Sequence, residues 1–263
     1  MWRSIWKNRG LILQMMRRDI AGRYRGSVMG LAWSFVTPVI LLTTYAVVFS
    51  FVFNARWGVG LQQSRLDYAM LLFAGMIVHS LVAETIVRAP MLVVSNVSYV
   101  KKIVFPLEIL PLVAVGTALF HAAISLLVLM IAMAFSVGHL PASALLLPFV
   151  WAPLVVLVLG AAWALASLGV FLRDIAQPIG LFMTVLLFAS PVFYPLSALP
   201  AAVQPWVMLN PLTFAIEQSR AVLLAGQAPY WGGLVIYSLV AAACAWCGYA
   251  WFQKTRKGFA NVL

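Results

Sequence analysis

Charge is what this sequence has least of. Asp, Glu, Lys and Arg make up 9% of the 263 residues, and only six residues are acidic. A water-soluble domain carries about 25% charged residues. With 64% apolar residues, this chain has too little polar surface to face water, which excludes a soluble enzyme and a disordered protein. Cysteine is scarce as well. Cys244 and Cys247 stand alone, as Cys-x-x-Cys inside an apolar run, which excludes a disulfide-stapled secreted module. Both are expected to pack as small apolar residues. Neither a GxxxxGK[ST] phosphate loop nor an HExxH occurs, so the chain cannot cradle ATP in that way. The histidines at 79, 121 and 139 lack the spacing of a metal site, and no Ser/His/Asp constellation can be argued. The chain is expected to hold no catalytic residue, no metal and no cofactor of its own.

What is present is long apolar runs. Between charged residues lie 30 positions from Arg25 to Arg56, 16 from Asp67 to Glu84, 64 from Glu108 to Arg173, 42 from Asp174 to Glu217 and 33 from Arg220 to Lys254. A helical crossing needs about 20 apolar residues. The run of 64 exceeds one crossing and is broken by Gly138-His139-Leu140-Pro141-Ala142, a turn composition. The runs are continuously apolar rather than alternating, which argues against a β-barrel. The prediction is an all-α membrane protein, a single transmembrane domain over 1–263. Its six spans lie at about 31–53, 68–87, 109–136, 145–172, 176–195 and 232–252.

An even number of spans puts both termini on one side. That side then holds fourteen of the seventeen basic residues, and the other holds Arg56, Arg65 and Arg220. The positive-inside rule makes the basic side the cytoplasm. The net charge of +11 lies beside membrane segments, where anionic headgroups attract it. A nucleic-acid partner is not expected. About thirty residues precede the first apolar run, which is long enough to stay in the membrane, so no cleaved signal sequence is expected.

Residues 3–20 mix charge with Ile5, Ile12, Met16 and Ile20 on one helical face, the pattern of an amphipathic helix in the membrane interface. Gly22, Gly26 and Gly30 recur every four residues. They form either a bare stripe for close helix approach or a joint before the first span. Tyr45, Phe49 and Phe53 share a helical face, as packing or as the wall of a conduit. In the second span, Glu84 can pair with Arg88 one turn on, although an ionisable group inside a span is also a functional candidate. His79 reads as a hydrogen-bonded packing residue. Region 190–231 carries six prolines yet stays apolar. It is too broken to cross and too apolar for a free loop, so short helices re-entering the outer leaflet are expected.

Four stretches, in order, carry a family resemblance. They are Arg18-Asp19-Ile20-Ala21-Gly22-Arg23-Tyr24-Arg25-Gly26 running on to Trp33 and Pro38; Asn96 to Pro111; Phe171-Leu172-Arg173-Asp174-Ile175; and Ser190-Pro191-Val192-Phe193-Tyr194-Pro195, followed by Leu209-Asn210-Pro211 and Glu217 to Arg220. Together they resemble ABC-2-type polysaccharide export permeases, the membrane subunits of O-antigen, teichoic acid and related exporters. Leu107 departs from the pattern, since relatives often carry arginine before the glutamate.

The resemblance implies a homodimer of this chain joined to two copies of a separate cytoplasmic ABC ATPase, which would bind the ATP and Mg. It implies a substrate of the undecaprenyl-pyrophosphate-linked glycan class, and the bacterial inner membrane as location. Asn96, Val97, Ser98 and Tyr99, flanked by the amino-terminal helix, would meet the ATPase. Pro191, Phe193, Tyr194, Asn210, Pro211, Glu217 and Arg220 would form an outer gate. Trp33, Tyr45, Phe49 and Phe53 would line the conduit. At the cytoplasmic headgroup depth, Arg23, Arg25, Lys101 and Lys102 can offer charge-assisted hydrogen bonds to the lipid pyrophosphate. An ABC-2 exporter of a small lipophilic molecule and a gradient-driven secondary transporter are the alternatives. Proton coupling is disfavoured because 109–172 and 175–216 contain no Asp, Glu, Lys or Arg.

Overall fold

A computed structural model describes residues 6–52, 65–102 and 105–263. Among the described residues every regular element is helical. The first helix, α1 (Arg9–Tyr24), runs past its predicted end at residue 20. Gly26 and Gly30 then adopt φ of 85° and 50°, the left-handed region that glycine enters without penalty. A Cβ at Gly22, Gly26 or Gly30 would meet nothing within 4 Å. Gly26 and Gly30 are therefore a joint, while Gly22 stays within α1, and within this chain the three form no packing stripe.

After one tight turn, α2 (Trp33–Tyr45) passes into a π-helical segment, Ala46–Val52. Its hydrogen bonds reach one residue further than in an α-helix, so the expected four-residue stripe of aromatics loses its register after Tyr45. The long helix α3 (Arg65–Arg88) leads to two short ones, α4 (Met91–Val94) and α5 (Val97–Lys102). Next, α6 (Ile109–Val137) stops on Gly138 at φ 78°, a left-handed C-terminal glycine at the predicted break. Then come α7 (Leu147–Phe171), α8 (Ala176–Ala189), α9 (Gln204–Met208), α10 (Pro211–Leu223), α11 (Trp231–Thr255) and α12 (Phe259–Val262).

Among the described residues, five helical stretches are long and apolar enough to cross a membrane: Gly30–Phe49, Asp67–Arg88, Ile109–Ser136, Ala142–Phe171 and Trp231–Val262. The predicted span 176–195 is shorter than expected. Its helix α8 has 14 residues, a length of about 21 Å against a hydrocarbon core of about 30 Å. It ends because Ser190 turns extended (φ −100°, ψ 151°) ahead of Pro191, whose ring disfavours the helical region for its neighbour.

Two apolar clusters hold the bundle together. One joins α3, α6, α7 and α10 through residues such as Ile77, Leu81, Leu129, Leu154 and Ile216. The other gathers Met15 of α1, Val93, Ile109, Trp163, Phe252 and Phe259. The amino-terminal helix, the second loop and the carboxyl end thus meet at one end of the molecule. Helix α11 lies along α7, and their backbones come into contact around Gly160, Ala245 and Gly248. A Cβ on Gly160 would sit 2.6 Å from Ala245 Cα, and one on Gly248 would strike Gly160 O. In lipid, where apolar surface gains little from leaving its surroundings, such close backbone contact is what binds helices. The outward faces of α8 and α11 expose Leu181, Phe182, Val185, Trp246 and both Cys244 and Cys247. Such apolar surface requires hydrocarbon or protein cover.

Candidate functional sites at the two ends of the bundle

At the basic end, Glu84 is the centre of a network. It lies one turn from the end of α3 with its side chain 16% exposed. Its expected partner Arg88 stands 3.9 Å away, whereas Arg23 Nη2 of α1 approaches to 2.8 Å. His121 Nδ1 of α6 lies 2.9 Å from Glu84 Oε1, and His121 Nε2 lies 3.2 Å from the Tyr24 hydroxyl. The tautomer with its proton on Nδ1 satisfies both contacts: Nδ1–H donates to Glu84 and Tyr24 donates to Nε2. Burial pushes the Tyr24 hydroxyl above its ordinary pKa; Arg23 opposes that rise and Glu84 adds to it. Arg88 Nη2 donates to both carboxylate oxygens of Asp19 at 2.8 Å.

The second loop is held to the same end. Arg18 donates to the Tyr99 hydroxyl at 2.9 Å, and the Tyr99 ring stacks on Phe105 at 4.4 Å. Asn96 donates to Leu92 O, Val97 is half-buried, and Ser98 and Lys101 are exposed. Arg256 donates to Glu108 at 3.0 Å, and buried Trp163 donates to the Glu108 carbonyl. Leu107 packs into the second apolar cluster. A cavity of about 700 Å³ lies under α1, lined by Arg18, Asp19, Arg23, Arg88, Ser95 and Asn96. Of the predicted headgroup residues whose side chains are described, Arg23 lines it. Arg25 is exposed, and the Lys102 side chain lies outside the described residues.

The opposite end is built around Arg220, 4% exposed. Its Nε donates to Leu71 O at 3.0 Å, Nη1 to Pro191 O at 2.6 Å and Nη2 to Val192 O at 2.8 Å, while Glu217 accepts from Nη1 at 3.0 Å. One guanidinium thus staples α10, α3 and the turn after α8. Asn210 caps α10 by accepting from Leu212 N–H, Pro211 fills the first helical position, and the Asn210 amide donates to Ser190. Tyr68 donates to Phe193 O, and Tyr194 donates to Phe188 O. All seven predicted outer residues are therefore in one interlocked region. Phe49 of the π segment joins them, stacked on Phe193 at 6.2 Å and 6.0 Å from Tyr68. Tyr45 lies 6.3 Å from Phe49; Trp33, at the far end of this segment, is exposed, and Phe53 falls outside the described residues. His79, buried in α3, donates to Met183 O of α8, which is the packing role expected of it.

The sequence reading missed Asp19, Tyr24, His121, Tyr68 and Leu71 as partners. The first two stand inside the amino-terminal stretch that carries the resemblance. His121 is the one titratable side chain in the run 109–136, and that isolation was the available signal.

A multi-pass helical bundle, with its amino-terminal helix tied to a basic end and a proline-broken region at the other, is the architecture of an integral membrane protein. The model of the ABC-2 type transporter family matches residues 10–224, and the chain belongs to that family. It is 26% identical to the O-antigen export system permease protein RfbA of Myxococcus xanthus, over 99% of this chain and 98% of that one. Two proteins of the same description from Klebsiella pneumoniae are 24% and 23% identical, each over 96% of this chain and 95% of their own.

Proposed function

We propose that this chain is the membrane-spanning permease subunit of an ATP-driven exporter that moves a lipid-linked, O-antigen-like polysaccharide across the bacterial inner membrane. The observation that carries the reading is similarity over nearly the full length to three proteins described as O-antigen export permeases. The basic end, bearing both termini, faces the cytoplasm. Helix α8, continued by the turn that Arg220 staples, makes the sixth crossing, and α9 and α10 re-enter the outer leaflet.

Two copies form the conduit, with two copies of an ATPase beneath. A glycan cannot enter hydrocarbon, because each hydroxyl would lose its water partners. Trp33, Tyr45, Phe49 and Phe53 offer it ring faces. Arg23, Arg25, Lys101 and Lys102 take the pyrophosphate, the loop around Asn96–Tyr99 receives the ATPase, and the Arg220 region closes the outer mouth.

The test is copurification with a cytoplasmic ABC ATPase subunit, followed by a glycan export assay in cells. The expected result is a stable complex and export lost on deletion of either subunit. Wild-type surface glycan without this chain would overturn the reading.

A further inference from the structure

We propose that Glu84, with Arg23 and Arg88 as exchangeable partners, is the coupling residue that passes movement of α1 into spans α3 and α6. The inference rests on the reading of the chain as an ATP-driven permease, because it needs a driver at the α1 end.

Four observations carry it. Three cationic or hydrogen-bonding side chains from three helices converge on one partly enclosed carboxylate: Arg23 of α1 at 2.8 Å, His121 of α6 at 2.9 Å and Arg88 of α3 at 3.9 Å. A carboxylate so placed depends on its partners for charge compensation. Second, Arg88 Nη1 is buried and has no hydrogen-bond partner, while the other nitrogen of the same group is taken up by Asp19. It stands 3.9 Å from Glu84 Oε1, close enough to take that oxygen when Arg23 leaves. The charge of Glu84 is then compensated with α1 docked and with α1 displaced, which is the requirement for two discrete arrangements.

Third, α1 is loosely held by its own chain. Gly26 and Gly30, both in the left-handed region, join it to α2, so its position is set by side-chain tethers, by Met15 in the second apolar cluster and by the contact of Met16 with Gly116 of α6. Fourth, the cavity of about 700 Å³ between α1 and the bundle gives α1 room to shift, with Met15 as its buried anchor in the second apolar cluster.

The roles are concrete. Arg23 holds α1 down, Arg88 is the standby partner, and His121 carries the state of Glu84 to α6. The unmet nitrogen of Arg88 is what a purely structural ion pair would not need.

The test uses the full chain copurified with its ATPase, with Cys244 and Cys247 replaced by serine. A Met16→Cys, Gly116→Cys pair reports docking of α1, since Met16 Cγ, the position a cysteine sulfur would take, lies 3.3 Å from where a Cβ on Gly116 would sit. In this background, disulfide yield is expected to differ several-fold between nucleotide-free and ATP-bound complexes. Glu84→Gln is expected to abolish that difference and to lower the glycan exported per ATP hydrolysed about tenfold, while Glu84→Asp preserves both. Arg23→Gln, a milder second variant, lowers the nucleotide-free yield. A nucleotide response in Glu84→Gln equal to that of the parent would overturn the proposal, and so would an unchanged export ratio. The disulfide arm needs no glycan. A parent complex that moves no glycan therefore rejects the export reading, and the disulfide yields still decide whether Glu84 holds α1.

Discussion

The two ends of the bundle solve the same problem, a charge at the margin of a membrane, in opposite ways. At the basic end the charges answer one another side chain to side chain: Asp19 with Arg88, Arg23 with Glu84, Arg256 with Glu108. At the other end Arg220 is answered mainly by backbone, with carbonyls from Leu71, Pro191 and Val192 around its guanidinium. Side-chain pairs that are partly exposed are individually weak and can exchange partners. A buried guanidinium held by fixed carbonyls cannot be exchanged, and removing it strands three acceptors. The first arrangement suits an end that moves against a partner, and the second an end that must stay assembled.

The largest effect should come from the fixed end. Arg220→Met leaves three buried carbonyls and Glu217 unanswered, at a cost of about 3–5 kcal/mol. Monodisperse protein after detergent extraction should nearly vanish, whereas normal yield and melting would erase the contrast between the ends. Next comes the α7–α11 contact. Gly160→Leu forces apart backbones that touch and should cost about 1–3 kcal/mol, read as a fall of several degrees in detergent melting temperature. Asp19→Asn breaks one partly exposed tether at the basic end and should cost about 1 kcal/mol or less, with melting almost unchanged but faster protease cleavage in the 25–30 joint. Smallest is Arg256→Ala, below about 1 kcal/mol, seen only as increased proteolysis of the carboxyl end. If Asp19→Asn destabilised as much as Arg220→Met, the basic end would be no more exchangeable than the other.

Much of this was legible in advance because a membrane makes composition speak. Apolar runs locate the long helices, Gly138 ends α6 where the turn residues stand, and the prolines of 190–211 mark where helix gives way to short pieces. The Ser190-Pro191 step also held the reason why α8 stops early, but the apolar residues after it masked the stop. The partners of Glu84 were not legible. Arg88 is one turn away and visible by spacing, while Arg23 and His121 arrive from helices 61 and 37 positions distant, and only packing chooses among them. The joint at Gly26 and Gly30 was open for the same reason, since a spacing of four fits a stripe and a bend equally. The π segment escaped entirely. No residue from Ala46 to Val52 announces it, yet it turns Phe49 onto Phe193 and so joins the first span to the outer region.

The central claim is that this chain is a passage without its own energy source. Reconstitution in proteoliposomes tests it most directly, with the ATPase subunit present or absent and a lipid-linked glycan supplied on one side. The expected result is ATP-dependent movement of glycan only when both subunits are present. Movement by this chain alone, driven by an ion gradient, would contradict it.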